Sequence, residues 1–242
     1  GFKKEFVTFN VSQFRGPQDL VAAFHKVRDI GLSGAVPFAF FDEFDCALDD
    51  EPLAWLKLFL APMNDGVFRD GETTYHIGKA IFAFAGGTRS DFESFRTNMP
   101  EDGQSVKPDD ARLRFVDVKG PDFVSRLRGF INIMGPDRRR TEHDDDDAFV
   151  IRRANLVRVQ FSLVPSAAGL FNPKKEVGID DGVLRALLYI SRYKHGNRSI
   201  QALVEMSRLA GKRHFALSCL PAREQLDMHV DVEELHWLAA RE

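Results

Sequence analysis

A chain of 242 residues with 44% hydrophobic and 29% charged residues has room for one large domain or two small ones, in an ordinary globular composition. Its net charge of -3 gives no overall attraction to nucleic acid or to an anionic membrane. Two cysteines, Cys46 and Cys219, are too few for a disulfide framework and favour a reducing, cytoplasmic compartment. The sequence predicts neither a signal peptide nor a membrane-spanning segment.

The first half of the sequence predicts strands that alternate with helices. Residues 36–41 and 80–85 are apolar on both faces, which is typical of parallel strands covered by helices on each side. Apolar residues at helical spacing follow Pro17 and recur over 52–63. This alternation predicts an α/β fold built on a parallel sheet. The predicted strands are residues 6–11, 36–41, 80–85 and 129–133, with a short hairpin arm over 73–77.

The second half begins with two charge runs, residues 137–140 and 144–147, which contain little apolar sequence. The three arginines at 138–140 could bind a phosphate backbone, but the acidic run that follows them would oppose this. The two runs therefore predict a linker or the acidic start of a helix. Helical patterns follow over 149–163, 181–193, 199–209 and near 232–240. The sequence therefore predicts an α/β base over 1–136 and a small all-helical domain with a C-terminal tail over 137–242.

The strand over 36–41 ends abruptly in Asp42-Glu43. Nucleotide hydrolases use such a strand end to present two carboxylates, of which the Asp holds Mg²⁺ and the Glu polarises the attacking water. Alternatively, the pair caps the following helix, since Asp45 and further aspartates lie close by. The sequence contains no G-x-x-x-x-G-K-[ST] loop to bind the phosphates. It therefore predicts the hydrolytic half of an ATP site without the phosphate-binding half.

Thr88 follows the strand over 80–85, after two glycines. The carboxyl ends of parallel strands meet at one edge of a sheet, so Thr88 and Asp42 are predicted to share that edge. Alternatively, Thr88 or Ser90 is the N-cap of a helix that begins near Asp91. Cys46 directly follows this acidic region without an evident base and is interpreted as a packing residue.

The order of four segments resembles the AAA+ ATPase superfamily and, within it, the Clp-type unfoldases. The segments are residues 38–43, which resemble the Walker B strand; 59–66 with the strand up to Thr88, which resemble the helix, hairpin and sensor-1 strand; 121–127, which resemble the arginine-finger stretch; and 195–199, which resemble the sensor-2 Gly-x-Arg. The resemblance covers about residues 5–210. The family's first strand, phosphate loop and following helix would precede these residues.

The resemblance implies a fold, which is a parallel-sheet AAA+ base of the P-loop NTPase type with a small helical lid. It also implies a set of site residues: Asp42 for Mg²⁺, Glu43 for water activation, Thr88 for that water or a γ-phosphate oxygen, Arg126 as an arginine finger acting in trans, and Arg198 as sensor 2 in cis. Each arginine has an ordinary alternative. Arg126 could be a surface residue, with Arg128 nearby, and Arg198 could belong to a helix start capped by Asn197 or Ser199.

The function implied by the resemblance is hydrolysis of ATP, with Mg²⁺, by a ring of subunits that remodels a protein partner. The chain by itself is expected to bind nucleotide poorly, because upstream sequence would supply the phosphate loop. Two alternatives stay open: a catalytically silent AAA-like adaptor or assembly module, and a nucleic-acid-associated AAA+ motor. The near-neutral charge and the lack of a basic stripe argue against the motor.

Overall fold

A computed structural model describes residues 4–98, 108–139 and 146–241. The chain divides into two compact units, Gly1–Ile133 and Met134–Glu242. The sequence placed the boundary between its two domains after residue 136. Part of the predicted linker, residues 140–145, lies outside the described residues. Within the described residues, no helix has the length and apolarity that crossing a bilayer requires.

The first unit is mixed α/β and contains a small parallel sheet. Its strands are β1 (Lys4–Asn10), β2 (Val36–Asp42) and β5 (Ile81–Ala85). All pairs are parallel and the order is β1-β2-β5, so β2 is the central strand. An antiparallel hairpin of β3 (Val67–Asp70) and β4 (Thr73–His76) lies between β2 and β5 in the chain. The mixed α/β class with a parallel sheet is confirmed.

Five α-helices lie in the described part of the first unit. They are α1 (Pro17–Leu32), α2 (Leu56–Asn64), α3 (Phe92–Thr97), α4 (Pro108–Asp117) and α5 (Gly120–Arg126). Pro17 occupies the first turn of α1, where a missing N–H costs nothing because that N–H has no partner within the helix. Asp91 caps α3 and exchanges hydrogen bonds with Ser94 in a capping box.

One face of the sheet is covered by aromatic side chains. Phe41 of the central strand is fully buried. Its ring lies 6.2 Å from that of Phe24 in α1 and 4.9 Å from that of Phe59 in α2. Phe123 of α5 is also fully buried and lies 5.1 Å from Phe84 of β5. Phe41 and Phe84 are next to the last residues of β2 and β5, so this packing stabilises the carboxyl end of the sheet, where the candidate site lies.

The opposite face of the sheet is not covered to the same extent. Phe6, Phe38 and Ile81 are aligned across the three strands, and aligned residues of parallel strands point to the same face. Phe6 is 72% exposed and Ile81 is 46% exposed. Most parallel sheets are buried on both faces, so an apolar face with this much exposure is unusual for such a sheet.

The predicted strand over 129–133 is wrong. The segment has no regular secondary structure, and Phe130, Ile131 and Ile133 are 61%, 87% and 87% exposed. It is held locally, with the Phe130 ring stacked 4.3 Å from Phe92 and the Asn132 side-chain Oδ1 accepting from the Phe92 N–H at 2.9 Å. A strand forms only where a neighbour supplies backbone hydrogen bonds, and no described strand pairs with this segment.

The second unit is helical. Its helices are α6 (Phe149–Leu163), α7 (Asp181–Tyr189), α8 (Asn197–Glu205), α9 (Arg223–Asp227) and α10 (Val232–Ala240). They share one apolar core that includes Phe161, Leu187, Leu203, Phe215 and Leu235. Four of these helices follow the predicted patterns, while α7 and α8 both end four residues earlier than predicted.

A fully buried arginine joins α6 to the segment that precedes it. The Arg153 guanidinium donates to the Pro136 carbonyl at 2.7 Å, to the Asp137 carboxylate at 2.9 Å and to the Leu188 carbonyl at 3.0 Å. Asp137 also accepts from the Tyr193 N–H at 3.0 Å. A buried charge is tolerated only when it is paired, so these contacts make residues 136–137 part of the second unit.

Candidate functional site

The candidate site is the carboxyl edge of the parallel sheet in the first unit. Asp42 is the last residue of the central strand, aligned with Asn10 on one side and Ala85 on the other. The pairing continues one step further, because the Phe44 N–H donates to the Ala85 carbonyl at 3.3 Å. The ends of β2 and β5 are therefore joined, as the shared edge predicted from the sequence requires.

Asp42 and Glu43 turn the chain away from the sheet. The Glu43 N–H donates to one Asp42 carboxylate oxygen at 3.1 Å, and Glu43 has a φ of 52° in the left-handed region. The Glu43 side chain is exposed and Asp42 is half-buried. The alternative that this pair caps the next helix is wrong, because α2 begins thirteen residues after Glu43, at Leu56, with Trp55 in the capping position.

Asp45 is a residue of this edge that the sequence pattern did not predict, and it bonds the loop after β2 to the loop after β5. Its side chain is buried, with the residue 4% exposed. One carboxylate oxygen, Oδ2, accepts from the Gly87 N–H at 3.1 Å, the Thr88 N–H at 2.8 Å and the Thr88 hydroxyl at 2.5 Å. The available signal was a third carboxylate just after Asp42-Glu43, together with two glycines at the end of the neighbouring strand.

Gly86 allows this approach because it has no side chain. A Cβ at this position would lie 2.7 Å from Asp45 Oδ2 and 2.9 Å from the Phe44 ring. Both distances are shorter than van der Waals contact permits, and both neighbours are buried. The Gly-Gly-Thr sequence is thus matched to Asp45 across the two strand ends.

Thr88 is not a helix N-cap, since Asp91 caps α3. Ser90 does not cap that helix either. The Thr88 hydroxyl is instead bonded to Asp45, which holds Thr88 at the end of β5.

Cys46 is half-buried beside this cluster. Burial and the negative charge of Asp45 raise the pKa of the Cys46 thiol. A raised pKa disfavours the reactive thiolate, in keeping with its interpretation as a packing residue.

Arg126 lies at the end of α5 and folds back on its own helix. Its guanidinium donates to the Asp122 carbonyl at 2.5 Å and lies 3.9 Å from the Asp122 carboxylate. The Arg126 Nε is buried without a hydrogen-bond partner. Arg128, the alternative finger, is exposed just beyond the helix.

Arg198 belongs to the second unit, in the first turn of α8, and is exposed. Gly196 precedes it at the helix start with a φ of 56° and a ψ of -134°, a conformation that favours glycine. Neither Asn197 nor Ser199 occupies the capping position; the Ser199 hydroxyl accepts from the His195 N–H at 2.9 Å.

A metal at this edge would depend on Asp42. Among the described residues no group of three or more His, Cys, Asp or Glu side chains is arranged to hold a metal ion. Mg²⁺ needs fewer protein ligands, because it keeps several waters and commonly takes one or two carboxylates together with substrate phosphates. A half-buried Asp42 with one oxygen bonded to the Glu43 N–H fits that limited role.

No family model matches this chain, and no curated protein matches it.

Proposed function

We propose that the chain is the hydrolytic part of a cytoplasmic AAA+ ATPase, comprising an α/β base and a small helical lid. The observation that carries the proposal is the join between β2 and β5. It places Asp42-Glu43 and Thr88 at one edge of a parallel sheet, with Asp45 of the loop after β2 bonded to the loop after β5. In open parallel sheets, ligands bind beyond the carboxyl ends of the strands.

Each residue at this edge has a role suited to its chemistry. Bound Mg²⁺ would neutralise charge on the phosphates. Asp42 would hold the ion through a carboxylate oxygen or a ligated water, and the exposed Glu43 carboxylate would orient the attacking water and take its proton. Thr88 would contact the same water.

The two arginines would act where subunits and the lid meet the nucleotide. Arg126 would reach the γ-phosphate of a neighbouring subunit in a ring, after leaving its contact with the Asp122 carbonyl. Arg198 would contact the nucleotide of its own subunit. The ring would use ATP hydrolysis to remodel a protein partner.

The phosphate-binding part would come from sequence outside these residues. Two features support this: the exposed sheet face around Phe6 and Ile81, and the exposed apolar segment 129–133. A further helix packed on this sheet would bury its exposed face, as is usual for parallel sheets, and a further strand would offer segment 129–133 a pairing edge. The chain alone should therefore bind MgATP weakly or not at all.

The test is Glu43→Gln in the full-length protein, which includes whatever its gene encodes before Gly1. The amide cannot accept the water proton, so we expect ATP hydrolysis to be abolished while MgATP binding is retained. Phosphate release measures the first and nucleotide titration the second.

Glu72→Gln is the matched control, because Glu72 is an exposed glutamate in the β3–β4 turn. Equal hydrolysis by the Glu43→Gln and Glu72→Gln variants would contradict the assignment. Tight MgATP binding by residues 1–242 alone would contradict the claim that the phosphate-binding half lies elsewhere.

An adaptor or assembly module without catalysis is the second candidate. It is favoured by one observation, the lack of a phosphate-loop motif in the sequence. A full-length protein that binds no nucleotide would establish this candidate over the ATPase.

A further inference from the structure

We propose that Asp45 is a positioning residue that fixes the direction of the Thr88 hydroxyl. With its hydrogen committed to Asp45, Thr88 can accept a hydrogen bond from the attacking water but cannot donate one to a phosphate oxygen. The inference rests on the proposed ATPase function and decides between the two roles that Thr88 could have in it.

The first step is the identity of the acceptor. Asp45 Oδ2 receives the Gly87 and Thr88 backbone N–H groups, which can only donate. The buried carboxylate is therefore the acceptor at this point, and its 2.5 Å contact with Thr88 Oγ1 uses the hydroxyl hydrogen.

The second step is what remains on the hydroxyl. A threonine hydroxyl carries one hydrogen and two lone pairs, so Thr88 Oγ1 is left with acceptor capacity alone. A water between Thr88 and Glu43 would donate one hydrogen to each. Its oxygen lone pair would then be free to form the new bond to the γ-phosphorus, while the bond to the departing ADP oxygen breaks and Glu43 takes the proton.

The third step is rigidity. The contact between Asp45 and Thr88 spans the ends of two strands that are already joined by the Phe44 N–H and the Ala85 carbonyl. Asp45 lies so close to Gly86 that not even a Cβ would fit between them. The hydroxyl is thus oriented before any ligand arrives, which is the arrangement that lowers an activation barrier most effectively.

The contact itself is tested in residues 1–242 without nucleotide. We expect the Gly87 and Thr88 amides to exchange hydrogen about tenfold faster or more in Asp45→Ala, because they lose a charged acceptor. Asp50→Asn is the control, since Asp50 is exposed in the same loop. Unchanged exchange in Asp45→Ala overturns the inference, and Asp45→Asn serves if the alanine variant does not fold.

The catalytic consequence is tested in the full-length protein. Asp45→Ala removes the acceptor and leaves the Thr88 hydroxyl hydrogen free to donate to a phosphate oxygen, so we expect kcat to fall about 10²-fold with KM for MgATP unchanged. Thr88→Val should lose as much as Asp45→Ala. Because Asp45 acts through Thr88, adding Asp45→Ala to Thr88→Val should cause no further loss.

The outcomes separate the two proposals. Losses that multiply in the double variant, or an unchanged kcat in Asp45→Ala, overturn the positioning role while the ATPase stands. A wild-type protein that hydrolyses no ATP overturns the ATPase and the catalytic role of Asp45 together, whatever the amide exchange shows.

Discussion

The two glycines at the end of β5, Gly86 and Gly87, leave space that the Asp45 side chain occupies. The buried carboxylate accepts from two backbone N–H groups and a hydroxyl, which satisfies its own oxygen and fixes the loop after β5 against it.

This arrangement predicts that Gly86→Ala destabilises the first unit. The added Cβ would lie 2.7 Å from Asp45 Oδ2, so the carboxylate or the Phe44 ring must move. We expect a loss of about 1–3 kcal/mol in the free energy of unfolding, the usual cost of overpacking a buried site. Urea unfolding of the wild type and of the Gly86→Ala variant measures this loss of stability.

Gly87→Ala is the matched control, because a Cβ at Gly87 meets nothing within 4 Å. Similar stabilities for the two alanine variants would show that the contact between Asp45 and the strand end is looser than described.

At the element scale, the sheet has one buried and one exposed face. Phe6→Thr removes the most exposed aromatic ring of the exposed face and puts a β-branched residue, which favours strands, in its place. We expect weaker binding of the dye anilinonaphthalene sulfonate, with stability lowered by no more than about 1 kcal/mol for the lost contact with Phe38. Fluorescence titration measures the dye and urea unfolding the stability.

Leu32→Thr is the control for this element. Leu32 is 77% exposed at the end of α1 and belongs to no strand of the sheet. If both variants bind the dye as strongly as the wild type, the sheet face is not the apolar surface that the dye recognises.

Sequence patterns could predict elements whose residues carry their own signal. The apolar runs of β2 and β5 and the period of α6 were found because burial on two faces, or on one helical stripe, selects those residues directly. The segment 129–133 has the same composition, but strand formation also needs a partner edge. A composition cannot reveal whether that edge is present.

The candidate site was predictable to the same degree. Asp42-Glu43 and Thr88 could be assigned to one edge because parallel strands fix which ends meet. Asp45 could not, since its role depends on a side chain reaching across two loops to Gly87 and Thr88. Such contacts depend on tertiary geometry, which no local pattern encodes.

At the scale of the whole molecule, two units each have their own apolar core. We expect residues 134–242 to fold alone with a cooperative helical transition. A shorter piece, residues 140–242, lacks Pro136 and Asp137 and leaves the Arg153 guanidinium buried without those partners. The shorter piece should be less stable by about 3–5 kcal/mol, as when one partner of a buried ion pair is removed. Circular dichroism during urea unfolding measures both.

Arg138→Ala in the longer piece controls for loss of charge in the same segment. Its ion pair with Asp147 is solvent-exposed at 3.3 Å and its guanidinium lies 5.4 Å from the Phe149 ring, so the loss should be about 1 kcal/mol. Equal stability of the two pieces would mean that Arg153 finds other partners and that the unit begins after residue 139.

The acidic strand end also has a consequence for the order of events in the proposed enzyme. Asp42, Glu43 and Asp45 place three carboxylates within four consecutive positions, and the Gly87 and Thr88 amides that could face an anion already serve one of them. Free polyphosphate would be repelled from this edge, whereas its complex with a divalent cation would be attracted. Metal loading of the nucleotide would then be a condition for entry, and free ATP would be a poor competitor.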